Sequence, residues 1–431
     1  LDDVHSDYGK REITAGLRDN SVNILFLSTW FPYPPDNGSK IRAHYLLRAV
    51  AEKHEVAVVA FQRETDAERK IDAQRKIDQQ YGDRTSICPV PVDPFRHVSA
   101  SAIVRYASPR PLAFWPSRRM SETVQRVSAG RRWDAVVAVQ TPVAQYALPV
   151  KGVPGVIDVD TALSYQMHNR YVHHSDSPTT RIRNWVSWQK AHQYEMRLFR
   201  NFRVCTLAGT MEVPYVSAMV RSSQTRVEVV PNGVDCQHNR PGLARRAPAA
   251  LVFNGAMTYD ANLDAMQFFL AEIYPQVRRE ISDVSLTITG KTTGVQLTSL
   301  HLDESVRLSG YVDDIRPFIA GSAACVVPLR QGGGTRLKIL EAMALGTPVV
   351  STTKGAEGLH VTPEHDILVA DDPAGFARQV VRLLHDAALR ERIATNARSL
   401  VEQRYDWQQI GRRFNDLVEE AARGRNARIV P

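Results

Sequence analysis

At 431 residues the chain is longer than a single core usually organises, so two domains are expected, and its 43% hydrophobic and 23% charged residues exclude a disordered or fibrous protein. No apolar run approaches the ~20 residues of a membrane span, and the polar opening stretch, residues 1–21, reads as a flexible lead-in without a signal-peptide pattern. Cys88, Cys205, Cys236 and Cys325 are scattered with no CxxC pair, which points to reduced thiols in a cytoplasmic protein and away from a metal site.

The fold proper opens at "VNILFLST" (22–29), an apolar run that reads as a buried strand. A turn-rich loop, "WFPYPPDNGS", leads into the amphipathic helix "KIRAHYLLRAVAEKH" and then the strand "EVAVVAF". That is a βαβ unit with a glycine loop after its first strand. Between Arg96 and Arg132 the net charge of +8 is concentrated: Arg105, Arg110, Arg118, Arg119, Arg126 and Arg131 face Glu122 alone, with Tyr106, Phe114 and Trp115 interleaved. Such a stretch is either a patch for an anionic lipid, lipid-linked diphosphate or acidic saccharide, or a solvated helix face. Nucleic acid is not an expected partner, because no recognition motif accompanies the charge.

"WDAVVAVQ" and "PGVIDVD" predict two more strands of the same parallel sheet, and from Ser164 to about Phe202 the chain is helical, with His168, Arg170, His173 and His174. "VEVVPNGVD" (227–235) is a strand into a turn, and "CQHNRPGLARRAPAA" reads as the hinge. A second series follows: "AALVFNGAM" ending near Gly255, a helix over Asn262 to Glu280, then strands in "VSLTITG", "SVRLSGYV", "AACVVPL", "PVVST" and "ILVADD". Closing helices come last. The expected partition is a lead-in (1–21), a first Rossmann-like domain (22–205), a second (206–400) and closing helices (401–431), with a cleft at the carboxyl ends of both sheets.

The densest chemistry lies in "LRQGGGTRLKILEAMALGTPVVST" (329–352), read as strand end, glycine loop, helix and strand. Gly332, Gly333 and Gly334 let the backbone approach a ligand closely, and Thr335 is taken as the helix N-cap. Arg336 and Lys338 then sit where the helix dipole also favours an anion, an arrangement suited to a diphosphate. It is not a Walker A loop, since the Lys lacks the preceding Gly and the following Ser or Thr. Glu341 lies on the same face as Lys338, about 5 Å further along the axis. A carboxylate there either holds the vicinal diol of a ribose or pairs with Lys338 on a solvated face.

This segment resembles the donor site of GT-B retaining glycosyltransferases of the group 1 family, family 4. So do "VVPNGVD", "NGAMTYDANLDAMQFF" and "LSGYVDDIRPFIAGSAACVVP". Together they are most similar to a sub-group of bacterial exopolysaccharide sugar transferases. The resemblance implies an α/β fold of two Rossmann-like domains facing each other across a cleft. The second domain would hold a nucleotide-sugar donor, and the first a saccharide, lipid-linked or small-molecule acceptor. Neither cofactor nor metal is implied, the nucleotide sugar being a substrate. By position Glu341 matches the glutamate that binds the donor ribose, Gly38 the first-domain glycine facing the phosphates, and Tyr311 and Val312 the loop beside the base. Two departures stand out. The first glutamate of the family's pair is Gly333 here, and "GAMTYDAN", after Gly255, lacks the family's basic residues. Positive charge then has to come from Arg336 and Lys338.

The family's retaining chemistry implies front-face attack, with the leaving diphosphate receiving the acceptor proton, so Arg336 and Lys338 are expected to stabilise its charge. Asp158 and Asp160 end a strand at the cleft. They either orient an acceptor hydroxyl, Asp160 being the better placed, or cap the following helix. His168, His173 and His174 read as surface or acceptor-loop residues. A natural-product glycosyltransferase, a sugar-nucleotide epimerase of the same architecture and a silent nucleotide-sugar-binding protein are the alternatives. Location at the inner face of the plasma membrane, through the Arg96–Arg132 region, is the accompanying expectation.

Overall fold

The apolar runs of the sequence assemble into two separate parallel sheets in the computed structural model, which describes residues 21–63, 80–95, 108, 111, 115–173, 177–300, 302–332 and 334–424. The first sheet contains β1 (Asn23–Ser28), β2 (Glu55–Gln62), β3 (Thr85–Pro91), β4 (Ala135–Val139), β5 (Gly155–Asp160), β6 (Val204–Leu207) and β7 (Arg226–Val229), in the order 3-2-1-4-5-6-7. The second contains β8 (Ala247–Asn254), β9 (Ser285–Thr289), β10 (Val306–Gly310), β11 (Ser322–Val327), β12 (Val349–Ser351) and β13 (Leu368–Val369), in the order 10-9-8-11-12-13.

Parallel strands must be buried on both faces, and the sequence supplies this as continuous apolar runs. In β1, Leu25 and Leu27 feed one core with Met120 and Phe199, while Ile24 and Phe26 feed another with Leu46 and Phe414. In each sheet the strand order reverses beside its opening strand, between β1 and β4 and between β8 and β11. Both reversals open a crevice at the carboxyl ends of the strands.

Five helices matter for the site: α1 (Gly38–Ala51), α2 (Leu163–His173), α3 (Pro178–Phe199), α4 (Leu337–Ala344) and α5 (Trp407–Arg423). α1 follows β1 and α4 follows β11, so each helix starts at its own sheet's reversal point. The helix expected over Asn262 to Glu280 is interrupted by a π turn at Phe269–Ile273, just ahead of Pro275, which has no amide hydrogen to continue the ladder.

The domain boundary expected at 205 falls inside β6. β6 and β7 both pair in the first sheet, so the crossing lies at 230–235, before the irregular segment read as the hinge. There the outgoing chain lies beside the returning one: Val234 N donates to Tyr405 O (2.8 Å), and Trp407 N to Val234 O (3.2 Å). α5 then packs back onto the first domain, with Trp407 stacked on Tyr45 at 5.0 Å. Gly411 permits that contact, since a β-carbon there would stand 2.7 Å from Ala49 Cβ.

Candidate active site

The second-domain wall is built from the ends of β8 and β11. Gly332 (φ +97°) and Gly334 (φ +84°) adopt left-handed backbone that other residues resist, and a side chain at Gly332 would also run into Tyr259 Oη at 2.9 Å. Gly333 lies outside the described residues. The N-cap of α4 is Arg336, not Thr335 as expected, and it makes no side-chain cap. The Thr335 hydroxyl faces the other domain instead, where it accepts a 2.8 Å hydrogen bond from Asn232 Nδ2, on the interdomain crossing.

The two cations differ in placement. Arg336 is 5% exposed, and its Nη2 donates to the carbonyls of Gly332 (3.1 Å) and Lys354 (2.9 Å) and reaches Glu357 Oε2 at 3.5 Å. It therefore braces the glycine loop against the turn after β12. Lys338 reaches the end of β8 instead. Its Nζ donates to Asn262 Oδ1 (2.7 Å), lies 4.1 Å from the centre of the Phe253 ring, and is brought down by burial to a pKa of about 8. Gly255 makes room for it, since a β-carbon there would stand 2.9 Å from the ammonium.

Glu341 is half-buried one turn deeper, its Oε2 accepting from Asn254 Nδ2 at 2.9 Å. Burial pushes its carboxyl up to about 7, while the Asn254 hydrogen bond and Lys338 pull the other way. So the carboxylate read from the sequence borders the β8–β11 crevice, oriented by an amide on the last residue of β8, with its other oxygen uncommitted among the described residues. Tyr311 and Val312 follow β10. Tyr311 is 76% exposed.

On the first-domain side, α1 begins at Gly38, with Asn37 Oδ1 capping Lys40 N (3.1 Å). A β-carbon on Gly38 would lie 3.7 Å from Leu337 Cδ1, so the starts of α1 and α4 meet across the cleft. Asp160 ends β5 with φ +63°, and Gln140 follows β4 with φ +72°. Two non-glycine residues are thus held in strained backbone at the strand ends, a feature that concentrates at functional sites. Burial pushes the Asp160 carboxyl above the usual range; Arg42 and an Asn232 hydrogen bond oppose this and Asp158 adds to it.

Asp158 is not a second crevice carboxylate. It is fully buried, accepting from Arg42 Nε (2.8 Å), Arg42 Nη2 (2.6 Å) and Thr206 Oγ1 (2.6 Å). Nor does either aspartate cap α2. Glu195 accepts the amides of Leu163 and Ser164, at 2.9 Å each, and Glu212 accepts that of Ala162 at 2.7 Å. Burial pushes both glutamates up to about 7.

Arg42, Asn232, Glu195 and Glu212 are the residues that sequence reasoning missed. A signal existed for the first: Arg42 shares the apolar stripe of α1 with Leu46 and Val50, where a charge needs a buried partner. His168 packs on Trp188 (4.7 Å) and His173 is exposed, while His174 lies outside the described residues. Of the basic stretch, Arg118, Arg119, Arg126, Arg131 and Arg132 are described and exposed, as is Trp115; Arg96, Arg105 and Arg110 lie outside.

Residues 248–386, which contain Gly255, Lys338 and Glu341, match the family described as glycosyl transferases group 1. The match lies within the second domain. Among curated relatives, a lipopolysaccharide core biosynthesis glycosyltransferase, LpsE, from Rhizobium meliloti is 36% identical over 99 residues, 22% of this chain and 29% of that protein. The chain spans less than half the length of the curated relatives it matches. Over nearly its whole length the fold matches that of a sucrose-phosphate synthase from Thermosynechococcus elongatus (TM-score 0.67, 15% identity, 94% of this chain and 100% of that one). It also matches HepE from Anabaena, solved in complex with UDP (TM-score 0.61, 15% identity, 92% and 100%). The architecture is GT-B.

Proposed function

We propose that the chain is a retaining glycosyltransferase that moves a sugar from a nucleotide-sugar donor to a saccharide or lipid-linked acceptor in bacterial surface polysaccharide synthesis. One observation carries this reading. A loop with left-handed glycines at 332 and 334, a lysine with depressed pKa and a carboxylate one helical turn deeper line the same strand-order reversal, within the segment that matches the group 1 family. In this reading the donor diphosphate lies over Gly332–Gly334 and the start of α4, and Glu341 accepts from the ribose hydroxyls. Tyr311 and Val312 lie beside the base. The acceptor hydroxyl attacks the anomeric carbon on the face the diphosphate leaves; the new C–O bond forms as the sugar–phosphate bond breaks, and the acceptor proton passes to the departing phosphate oxygen.

The protein's own work is then orientation and charge stabilisation. Lys338, the loop amides and the α4 dipole meet the charge growing on the diphosphate, Arg336 holds the loop that presents them, and Asp160 orients the acceptor hydroxyl. Gly38 brings the start of α1 up to the same phosphates. The exposed arginines around Arg118–Arg132 and Trp115 support peripheral contact with an anionic membrane face, where a lipid-linked acceptor resides.

The test is a panel of nucleotide sugars screened by thermal shift, followed by donor hydrolysis and transfer assays. A donor that raises the melting temperature and is turned over supports the reading. Binding without hydrolysis or transfer would favour a binding protein, and inversion at C2 or C4 of the bound sugar an epimerase.

A further inference from the structure

A side chain of the interdomain connector, Asn232, is hydrogen-bonded to both walls of the crevice. Asn232 sits on the connector between the two domains and is 8% exposed. Its Oδ1 accepts from Arg42 Nη1 at 2.9 Å, and its Nδ2 donates to Asp160 Oδ1 (3.2 Å) in the first domain and to Thr335 Oγ1 (2.8 Å) in the second. The amide has no freedom to flip. A guanidinium only donates, so the oxygen must face Arg42, and both amide hydrogens are left for Asp160 and Thr335.

Arg42 is itself immobilised, fully buried in its paired contact with Asp158 and donating further to the carbonyls of Val230 (2.8 Å) and Pro231 (3.3 Å). The backbone beneath Asn232 is equally fixed: a β-carbon on Gly233 would stand 2.5 Å from Tyr405 O, so outgoing and returning chains are in close contact there.

We infer that Asn232 is a positioning residue that joins the glycine loop of the second domain to Asp160 of the first, so that the donor side and the acceptor side of the cleft are set by a single amide. The inference rests on the glycosyltransferase reading for its catalytic consequence, but the bridge itself is a property of the unliganded chain. Chemically the arrangement makes sense of two oddities. Asp160 holds a strained backbone, which persists only where its surroundings over-determine it. Thr335, at a position expected to cap a helix, gives its hydroxyl to the other domain instead. A ligand that shifts the glycine loop would therefore act on Asp160 through Asn232.

The experiment has two arms. In the first, hydrogen exchange is followed by mass spectrometry in the full chain without ligand, comparing wild type with Asn232→Ala and with the near-isosteric Thr335→Val. The bridge predicts that Asn232→Ala speeds exchange in both the 334–340 segment and the 160–164 turn, though these lie in different domains. Thr335→Val should do the same more weakly. Faster exchange in one segment only, or in neither, overturns the bridge, and general loss of protection in Asn232→Ala hands the decision to Thr335→Val.

In the second arm, steady-state transfer is measured against pH. A positioning role predicts a kcat lower by about tenfold to a hundredfold with donor KM changed much less, the scale of a misplaced reacting group. The acidic limb of the pH profile should also move to higher pH in Asn232→Ala, since an N–H donor to the Asp160 carboxylate has been lost. The kcat losses of Asn232→Ala and Thr335→Val should not multiply in the double variant, because each breaks the same link. An unmoved pH limb or multiplicative losses would overturn the positioning role. Coupled exchange in a chain that turns over no donor would instead sink the glycosyltransferase reading and leave the bridge standing.

Discussion

Donor affinity should have a maximum in pH set by two groups on one helix face. In the unliganded protein burial holds the Glu341 carboxyl at about 7 and the Lys338 ammonium at about 8. Ribose hydroxyls need the ionised carboxylate as acceptor, and a diphosphate needs the charged ammonium, so binding draws a proton off the first and keeps one on the second. With those values, the apparent dissociation constant carries a factor of about eleven from Glu341 at pH 6 and about eleven from Lys338 at pH 9. At pH 7.5 the two together contribute about 1.7. Affinity should thus be about sixfold weaker at pH 6 and at pH 9 than at pH 7.5, or about 1 kcal/mol.

The assay is isothermal titration with a nucleotide sugar that passes the thermal-shift screen. Its diphosphate is esterified at both ends and does not itself titrate in this range. Below pH 7 binding should release protons, visible as a dependence of the observed heat on the ionisation enthalpy of the buffer. Glu341→Gln should bind more weakly at pH 7.5 and lose the acidic limb. The same variant should gain thermal stability relative to wild type as pH rises from 5 to 8. A carboxyl whose folded pKa is raised gives stability that is present below its unfolded pKa and lost through about 7, and the amide loses none. Flat affinity from pH 6 to 9, or an acidic limb that survives in Glu341→Gln, would refute this account of the site.

Other outcomes follow from the packing. Gly255→Ala places a β-carbon 2.9 Å from Lys338 Nζ and 2.8 Å from Asn262 Nδ2, so it should displace the ammonium and weaken donor binding about tenfold or more with little change in melting temperature; unchanged affinity would contradict the placement of Lys338. Lys338→Ala should lower kcat/KM far more than removal of the exposed Arg279, and equal effects would remove Lys338 from the phosphate site. Arg42→Ala leaves Asp158 charged and unpaired in the interior, and chemical denaturation should report a loss of about 3–5 kcal/mol. A loss below ~1 kcal/mol would mean that water replaces the guanidinium.

The strands that were easiest to read are those buried on both faces. β1, β8 and β11 announce themselves as unbroken apolar runs because nothing polar fits there. β3 (TSICPVP) escaped because it is a sheet edge, where proline is tolerated and, with Val90 alone of its residues buried, the apolar signature is lost. β6 is only four residues long and follows directly on α3, so its end could not be separated from the helix, and the domain boundary slipped with it.

The site divides along the same line. Gly332, Lys338 and Glu341 were legible because their spacing is local to one loop and one helical turn. Asn232 was quoted within "VVPNGVD" but carried no chemistry there, since its partners Arg42, Asp160 and Thr335 lie 190, 72 and 103 residues away. The Thr335 cap failed for the same reason. Local pattern offered a first-turn amide as its donor, and the fold brought a better one from the other domain.

A crystal structure of the chain with a nucleoside diphosphate would test the central claim most directly. The account predicts the two phosphates over Gly332–Gly334 and the first turn of α4, within reach of Lys338 Nζ, and both ribose hydroxyls on the Glu341 carboxylate. Phosphates bound away from that helix start, or a Glu341 that still meets Asn254 while the ribose is held by other residues, would contradict it.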